Sequence, residues 1–232
     1  VLEIIDELAE KAQRVMIKLS PMLDWRKAVE DIGRQRVSAV HIVSVCNECK
    51  ELLIIVEGGR KVVEGGVCNV ERDYSVHCVN ILADGSKERF VFSFHTSHST
   101  LHEFQLHTTH STPHYLYEPN ASVMKAGCFE LLSQQFEATQ ADVNSHLFLS
   151  DKPMESFPGR GFVIERVTSM NKHDLKKALS GMSQANVAVR NFPLSAAELK
   201  RRLKLRDGGD VYIFATTVAN QGHLLFVCRK IA

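Results

Sequence analysis

Two β-rich runs with few charges, Val37 to Val45 and Leu52 to Val56, are separated only by Cys46-Asn47-Glu48-Cys49-Lys50-Glu51. Strands with so few polar positions are expected to be covered on both faces, as in α/β proteins. So short a link permits only a tight reversal, which makes the second strand antiparallel to the first. Upstream, Leu2, Ile5, Leu8, Ala9 and Ala12 share one helical face, and Val15 to Leu19 switches to a short strand broken by Ser20 and Pro21. Trp25 to Ile32 reads as a second helix, stopped by Gly33. The order helix, strand, helix, strand, strand predicts the back half of a doubly wound α/β sheet. Because the chain opens on Val1, within an amphipathic helix, the front half of that sheet is expected to precede it.

The next segment is less regular. Val76 to Leu82 and Arg89 to Phe94 flank Ala83-Asp84-Gly85-Ser86, a hairpin signal, and residues 95–114 read as a loop rich in Ser, Thr and His. A second unit is expected from Tyr115, with Asn120 capping a helix that runs to about Phe136. A third follows the Phe157-Pro158-Gly159-Arg160-Gly161 turn in the order β-α-β-α-β-β. Its strands are expected at 162–167, 186–192, 211–218 and 224–230. Its helices start at Asn171 and at the capping box Ser195 to Glu198.

Charge divides the chain. From Pro158 onward thirteen lysines and arginines face five acids, a surplus of eight, while the remainder carries a deficit of seven. A basic module joined to a more acidic body suits a polyanionic partner. Lys172, Lys176, Lys177, Arg190, Lys200, Arg201, Arg202, Lys204 and Arg206 are the candidate residues for binding RNA or DNA, and phosphate contacts from them would be salt-dependent and largely sequence-independent. The alternative is a solvated helix face with cations favourably placed at its C-terminus. No apolar run approaches the ~20 residues that span a bilayer. Six scattered cysteines fit a reducing, cytoplasmic setting better than a disulfide scaffold.

Strand ends of open α/β sheets face the ligand crevice. That makes Ser20, Pro21, Met22 and Asp24 candidates for a pocket rim, together with Asn47, Glu48 and Lys50, which could hold a planar base through directional hydrogen bonds. The alternatives are a helix-entry turn capped by Asp24 and a polar hairpin tip. Cys46 and Cys49 form a C-x-x-C pair without a second pair at zinc-ribbon spacing. His95, His98, His102, His107, His110 and His114 could ligate a metal, though their setting of Ser and Thr reads as a solvated loop, and no structural metal is expected. Neither a Gly-x-Gly-x-x-Gly turn, a Walker loop nor a Gly-x-Ser-x-Gly elbow follows any expected strand.

Four stretches carry a resemblance. They are Val15 to Trp25 (VMIKLSPMLDW), His41 to Leu52 (HIVSVCNECKEL), Tyr115 to Ala121 (YLYEPNA), and Arg190 to Ser195 with Gly208 to Thr217 (RNFPLS and GGDVYIFATT). Their order and content resemble bacterial class I S-adenosylmethionine-dependent methyltransferases that end in a ferredoxin-like and a THUMP-like domain. The resemblance implies that residues 1–57 close a Rossmann-like methyltransferase sheet and that 58–114 connect it onward. It further implies a ferredoxin-like domain at 115–160 and a THUMP-like, RNA-binding domain at 161–232. In such enzymes the cofactor contacts and the catalytic segment lie before the part that Val1 begins, so none is assigned to a residue of this chain. The implied activity is methylation of tRNA or rRNA. A non-catalytic RNA-binding module and a metal-binding protein that uses the histidines are the alternatives.

Overall fold

The computed structural model describes residues 2–58, 73–94 and 113–231, which fall into two compact units. The first comprises the described residues up to Phe94 together with Asn120–Gly127. Helix α1 (Ile5–Lys11) leads into β1 (Arg14–Leu19), α2 (Trp25–Ile32), β2 (Val37–Val45), β3 (Glu48–Glu57), β4 (Tyr74–Ile81) and β5 (Lys87–Phe94), and α3 (Ala121–Ala126) completes the unit. The sheet order is β1-β3-β2-β4-β5. β3 runs antiparallel between β1 and β2, and β4 runs parallel to β2. β1, β2 and β4 therefore all point the same way.

Local chemistry accounts for these elements. Asp24 caps α2 by accepting from the Arg26 amide at 2.9 Å, and Trp25, Val29 and Ile32 bury one face at helical spacing. Gly33 at φ +97° ends the helix, with its N–H bonding back to the Val29 and Glu30 carbonyls. The reversal between β2 and β3 is made by Cys46 and Asn47, both at positive φ, the twist that a two-residue hairpin needs. The expected hairpin after residue 73 forms as β4 and β5. Instead of only connecting the units, it extends the same sheet, because alternate residues Tyr74, Val76 and Cys78 are buried.

The second unit carries β6 (Tyr115–Pro119), α4 (Phe129–Gln135), β7 (Thr139–Gln140), β8 (Phe148–Ser150), β9 (Gly159–Ser169), α5 (Lys172–Ala178), β10 (Asn186–Arg190), α6 (Ala196–Leu203), β11 (Val211–Val218) and β12 (Gly222–Lys230). Its strands join one sheet, ordered β10-β11-β12-β9-β6-β8-β7. Two cores sandwich it. Phe162, Phe214, Phe226 and Cys228 pack with Leu116 and Leu147, whereas Ile213, Ala215, Leu225 and Val227 pack with Leu199 and Leu205. Consecutive residues of β11 thus serve opposite faces.

Two expectations change. The helix expected from Asn120 to Phe136 is interrupted, since Gly127 adopts a left-handed conformation at φ +65° and closes α3 before α4 begins. The second unit, expected to open with that helix, begins instead with strand β6, paired with β9 and β8. No helix among the described residues is long and apolar enough to cross a membrane.

Candidate functional site

In the first unit the C-terminal ends of β1, β2 and β4 open at one end of the sheet, because Leu19 pairs with Leu52 and Val45 pairs with both Glu48 and Ile81. The rim candidates Ser20 to Asp24 and Asn47 to Lys50 are therefore brought to a common end. Their polar groups are largely committed to local structure. The Ser20 hydroxyl accepts from the Met22 amide at 3.3 Å, Asp24 caps α2, and Lys50 pairs with Glu48 at 2.7 Å. Pro21 adjoins Met22, a residue that is 87% exposed.

Asn47 is the most heavily engaged. Its side-chain oxygen accepts from the Ala121 amide at 2.7 Å, and its backbone N–H donates to the Asn80 side chain at 3.1 Å. Asn80 also accepts from the Ser44 hydroxyl and donates to Glu88, which accepts from Asn120 as well. Asn120 in turn caps α3 at the Val123 amide. This chain of bonds seats α3 on the sheet end. At the other end of α3, Arg26 donates to the Ala126 carbonyl at 2.8 Å while its guanidinium lies over the Trp25 ring.

Cys46 is exposed and Cys49 half-buried, and burial pushes the Cys49 thiol above its ordinary range, with nearby Lys125 opposing and Glu51 reinforcing the effect. A protonated thiol is neither a good nucleophile nor a good metal ligand. Of the histidine group only His114 is within the described residues; the other five lie outside them. Among the described residues no cluster of three His, Cys, Asp or Glu could hold a metal.

The second unit holds an open cleft. Helices α5 and α6 border a cleft of about 530 Å³ lined by Met170, Lys172, Leu175, Lys176, Leu179, Ser180, Arg202 and Leu203. Leu175 and Leu179 sit one helical turn apart along α5 and its C-cap, and the core beneath the helices includes Leu199. Three of the nine basic candidates, Lys172, Lys176 and Arg202, converge on this cleft. Others are placed elsewhere. Lys200 is ion-paired to Asp207, Lys204 is the left-handed C-cap of α6, and Arg190 bonds to the buried carboxylate of Glu118 in a cluster with Arg160. Lys177, Arg201 and Arg206 are exposed and do not line the cleft.

Sequence reasoning missed that cluster. Glu118, with a side chain only 3% exposed, accepts from Arg160 Nε at 3.1 Å and from Arg190 Nη2 at 2.7 Å, with a further contact from Arg160 Nη2. A Glu-Pro dipeptide gives no hint of a partner some seventy residues downstream; only the pairing of β6 with β9 brings Glu118 opposite Arg160.

Comparison with known proteins bears on both units. Residues 159–230 match the family model of THUMP domain-like proteins, and residues 115–158 match that of a ferredoxin-like domain. No curated protein matches the chain. A crystal structure of a proposed methyltransferase from Porphyromonas gingivalis W83 superposes with a TM-score of 0.78 at 30% sequence identity, over 95% of this chain and 52% of that one. The chain thus spans about half the length of the protein it matches.

Proposed function

We propose that this chain forms the substrate-holding part of a cytoplasmic, S-adenosylmethionine-dependent methyltransferase that acts on RNA, with the THUMP-like domain as the RNA-binding element. The observation that carries the reading is the likeness, along nearly the whole chain, to half of a proposed methyltransferase. The matching THUMP-like model and the cations Lys172, Lys176 and Arg202, which have no ion-pair partner among the described residues, support the RNA part.

The first unit supports a divided sheet of Rossmann-like type. β1 lies at the sheet edge, only Ile17 of its six residues is buried, and Met16 is 63% exposed. Ile4 and Leu8 add apolar surface on the preceding helical segment. An open edge of this kind is a template for another strand, and in this reading the remainder of the methyltransferase sheet pairs there. The residues at the sheet end do not fit a nucleoside cofactor by themselves. Asn47 and Asp24 are taken up by helix caps, and no glycine-rich phosphate loop follows β1, β2 or β4. Cofactor contacts and methyl transfer would come from the rest of the enzyme.

Two measurements test the proposal. Calorimetric titration of S-adenosylmethionine into this chain should give no saturable heat, and the longer enzyme should move a tritiated methyl group from the cofactor onto RNA. Tight stoichiometric cofactor binding by the chain alone, or label found only in protein, refutes it. A non-catalytic RNA-binding module is the second reading, favoured by the surplus of eight positive charges after Pro158; it requires RNA retention without any label transfer.

A further inference from the structure

We infer that the cleft between α5 and α6 receives a single unstacked nucleotide of RNA, its base on the apolar floor and its flanking phosphates on Lys172, Lys176 and Arg202. The inference deepens the RNA-binding reading and rests on it.

Three observations lead there. The cleft is an open depression of about 530 Å³, large enough to seat one small ligand against its floor without enclosing it. Its lining is divided chemically. Met170, Leu175, Leu179 and Leu203 supply an apolar floor, whereas the three cations and the Ser180 hydroxyl supply the polar part, with no carboxylate among them. Finally, none of the three cations has an ion-pair partner among the described residues, unlike Lys200 close by. Unpaired cations around an apolar hollow complement a ligand that is anionic on the outside and flat and weakly polar within.

A nucleotide lifted out of its stack has that composition. Double-stranded RNA does not, because its bases are stacked inside and mainly phosphates and 2′-hydroxyls reach a protein surface. A continuous duplex would satisfy the cations but leave uncovered the part of Met170, Leu175, Leu179 and Leu203 that the core beneath them does not bury. A bulge, loop or single-stranded end can fill both parts of the cleft. The hydrophobic floor carries no side-chain donor or acceptor to read a base edge, so recognition should be tolerant of base identity.

The test is fluorescence anisotropy of the 232-residue chain with three labelled RNA hairpins. One carries a bulged adenosine, one an abasic residue in the same bulge, and one is fully paired. The bulged hairpin should bind about ten-fold more tightly than the other two, the scale of removing one small apolar contact area from water. Replacing adenosine by uridine should change little. The variant K172Q/K176Q/R202Q removes the three charges and leaves shorter, neutral polar side chains in their place. It should weaken binding of the bulged hairpin and lower its salt slope by about 0.7 for each phosphate that is no longer neutralised. Ser180→Glu should weaken bulge binding more than duplex binding. Equal affinity for all three hairpins overturns the cleft assignment while leaving RNA binding intact. If no RNA binds at all, the RNA reading of the whole chain fails with it. Binding of poly-glutamate as tight as that of the bulged hairpin also overturns the inference, in favour of an acidic protein segment.

Discussion

Removing both guanidiniums from Glu118 should destabilise the second unit by far more than removing either one. The carboxylate is 3% exposed, so it is held almost wholly out of water, whereas Arg160 and Arg190 keep 42% and 40% of their side-chain exposure. Arg160→Met or Arg190→Met leaves one cation still bonded to the carboxylate, and the missing partner was half solvated. Each single change should therefore cost about 1 kcal/mol, near the value for partly exposed pairs. The double variant leaves a buried, uncompensated negative charge and should cost about 3–5 kcal/mol. Adding Glu118→Met to the double variant removes that charge and should restore most of the loss, because an apolar trio of similar volume carries no desolvation penalty. Hydrogen exchange followed by mass spectrometry on peptides covering β6 and β9 reads the effect locally, without assuming that both units unfold together. Exchange in the double variant should speed up by at least about a hundred-fold, and the triple variant should return towards the parent rate. A double variant no worse than the sum of the singles, or a triple variant as unstable as the double, refutes the reasoning.

Three other perturbations follow from the geometry. Asn47→Ala removes the acceptor for the Ala121 amide and should destabilise the first unit by about 1 kcal/mol, readable as faster exchange in α3. Gly161→Ala would place a methyl 2.8 Å from the buried Tyr117 ring and 2.9 Å from Ile231; with Tyr117 tied to the Met154 amide, it should cost about 1–3 kcal/mol in thermal unfolding. His41 and His77 stack across β2 and β4 with centroids 4.4 Å apart. Burial holds both below 6.5, with His77 adding to the effect on His41 and Arg89 to that on His77. The unfolded chain therefore takes up these protons first on acidification. Stability of the first unit should be full above pH 6.5 and decline as pH falls towards the lower folded values, and His77→Phe should flatten that decline in a melting-temperature series.

The sequence is most readable where one local signal decides the structure. β2 and β3 are visible as apolar runs, β11 coincides with the expected 211–218 strand, and the Ser195–Glu198 capping box closes as read. Gly127 is a local signal too, overlooked inside the expected helix. The remaining misses depend on partners distant in sequence. Nothing near Tyr115 announces a strand, since β6 exists through its pairing with β8 and β9. The cleft is half legible, because the cations stand out by charge. The floor residues do not, because Leu175, Leu179 and Leu203 read as ordinary core positions until both helices lie on one sheet face. Asn47 resembles a ligand contact for a physical reason that also suits its actual duty, since an amide that can bond a base edge can equally cap a helix.

The placement of α3 has a practical corollary for anyone cutting the gene into expressible pieces. A boundary drawn ahead of Tyr115, where the ferredoxin-like match begins, would carry α3 away from the sheet on which it rests. The amputated N-terminal piece would present the bare seat of Val123 and Ala126, both fully shielded in the intact chain, and would lose the amide that satisfies Asn47. Aggregation of such a fragment would reflect misplaced scissors, and soluble halves should be sought by grafting residues 120–127 back onto the first piece through a linker.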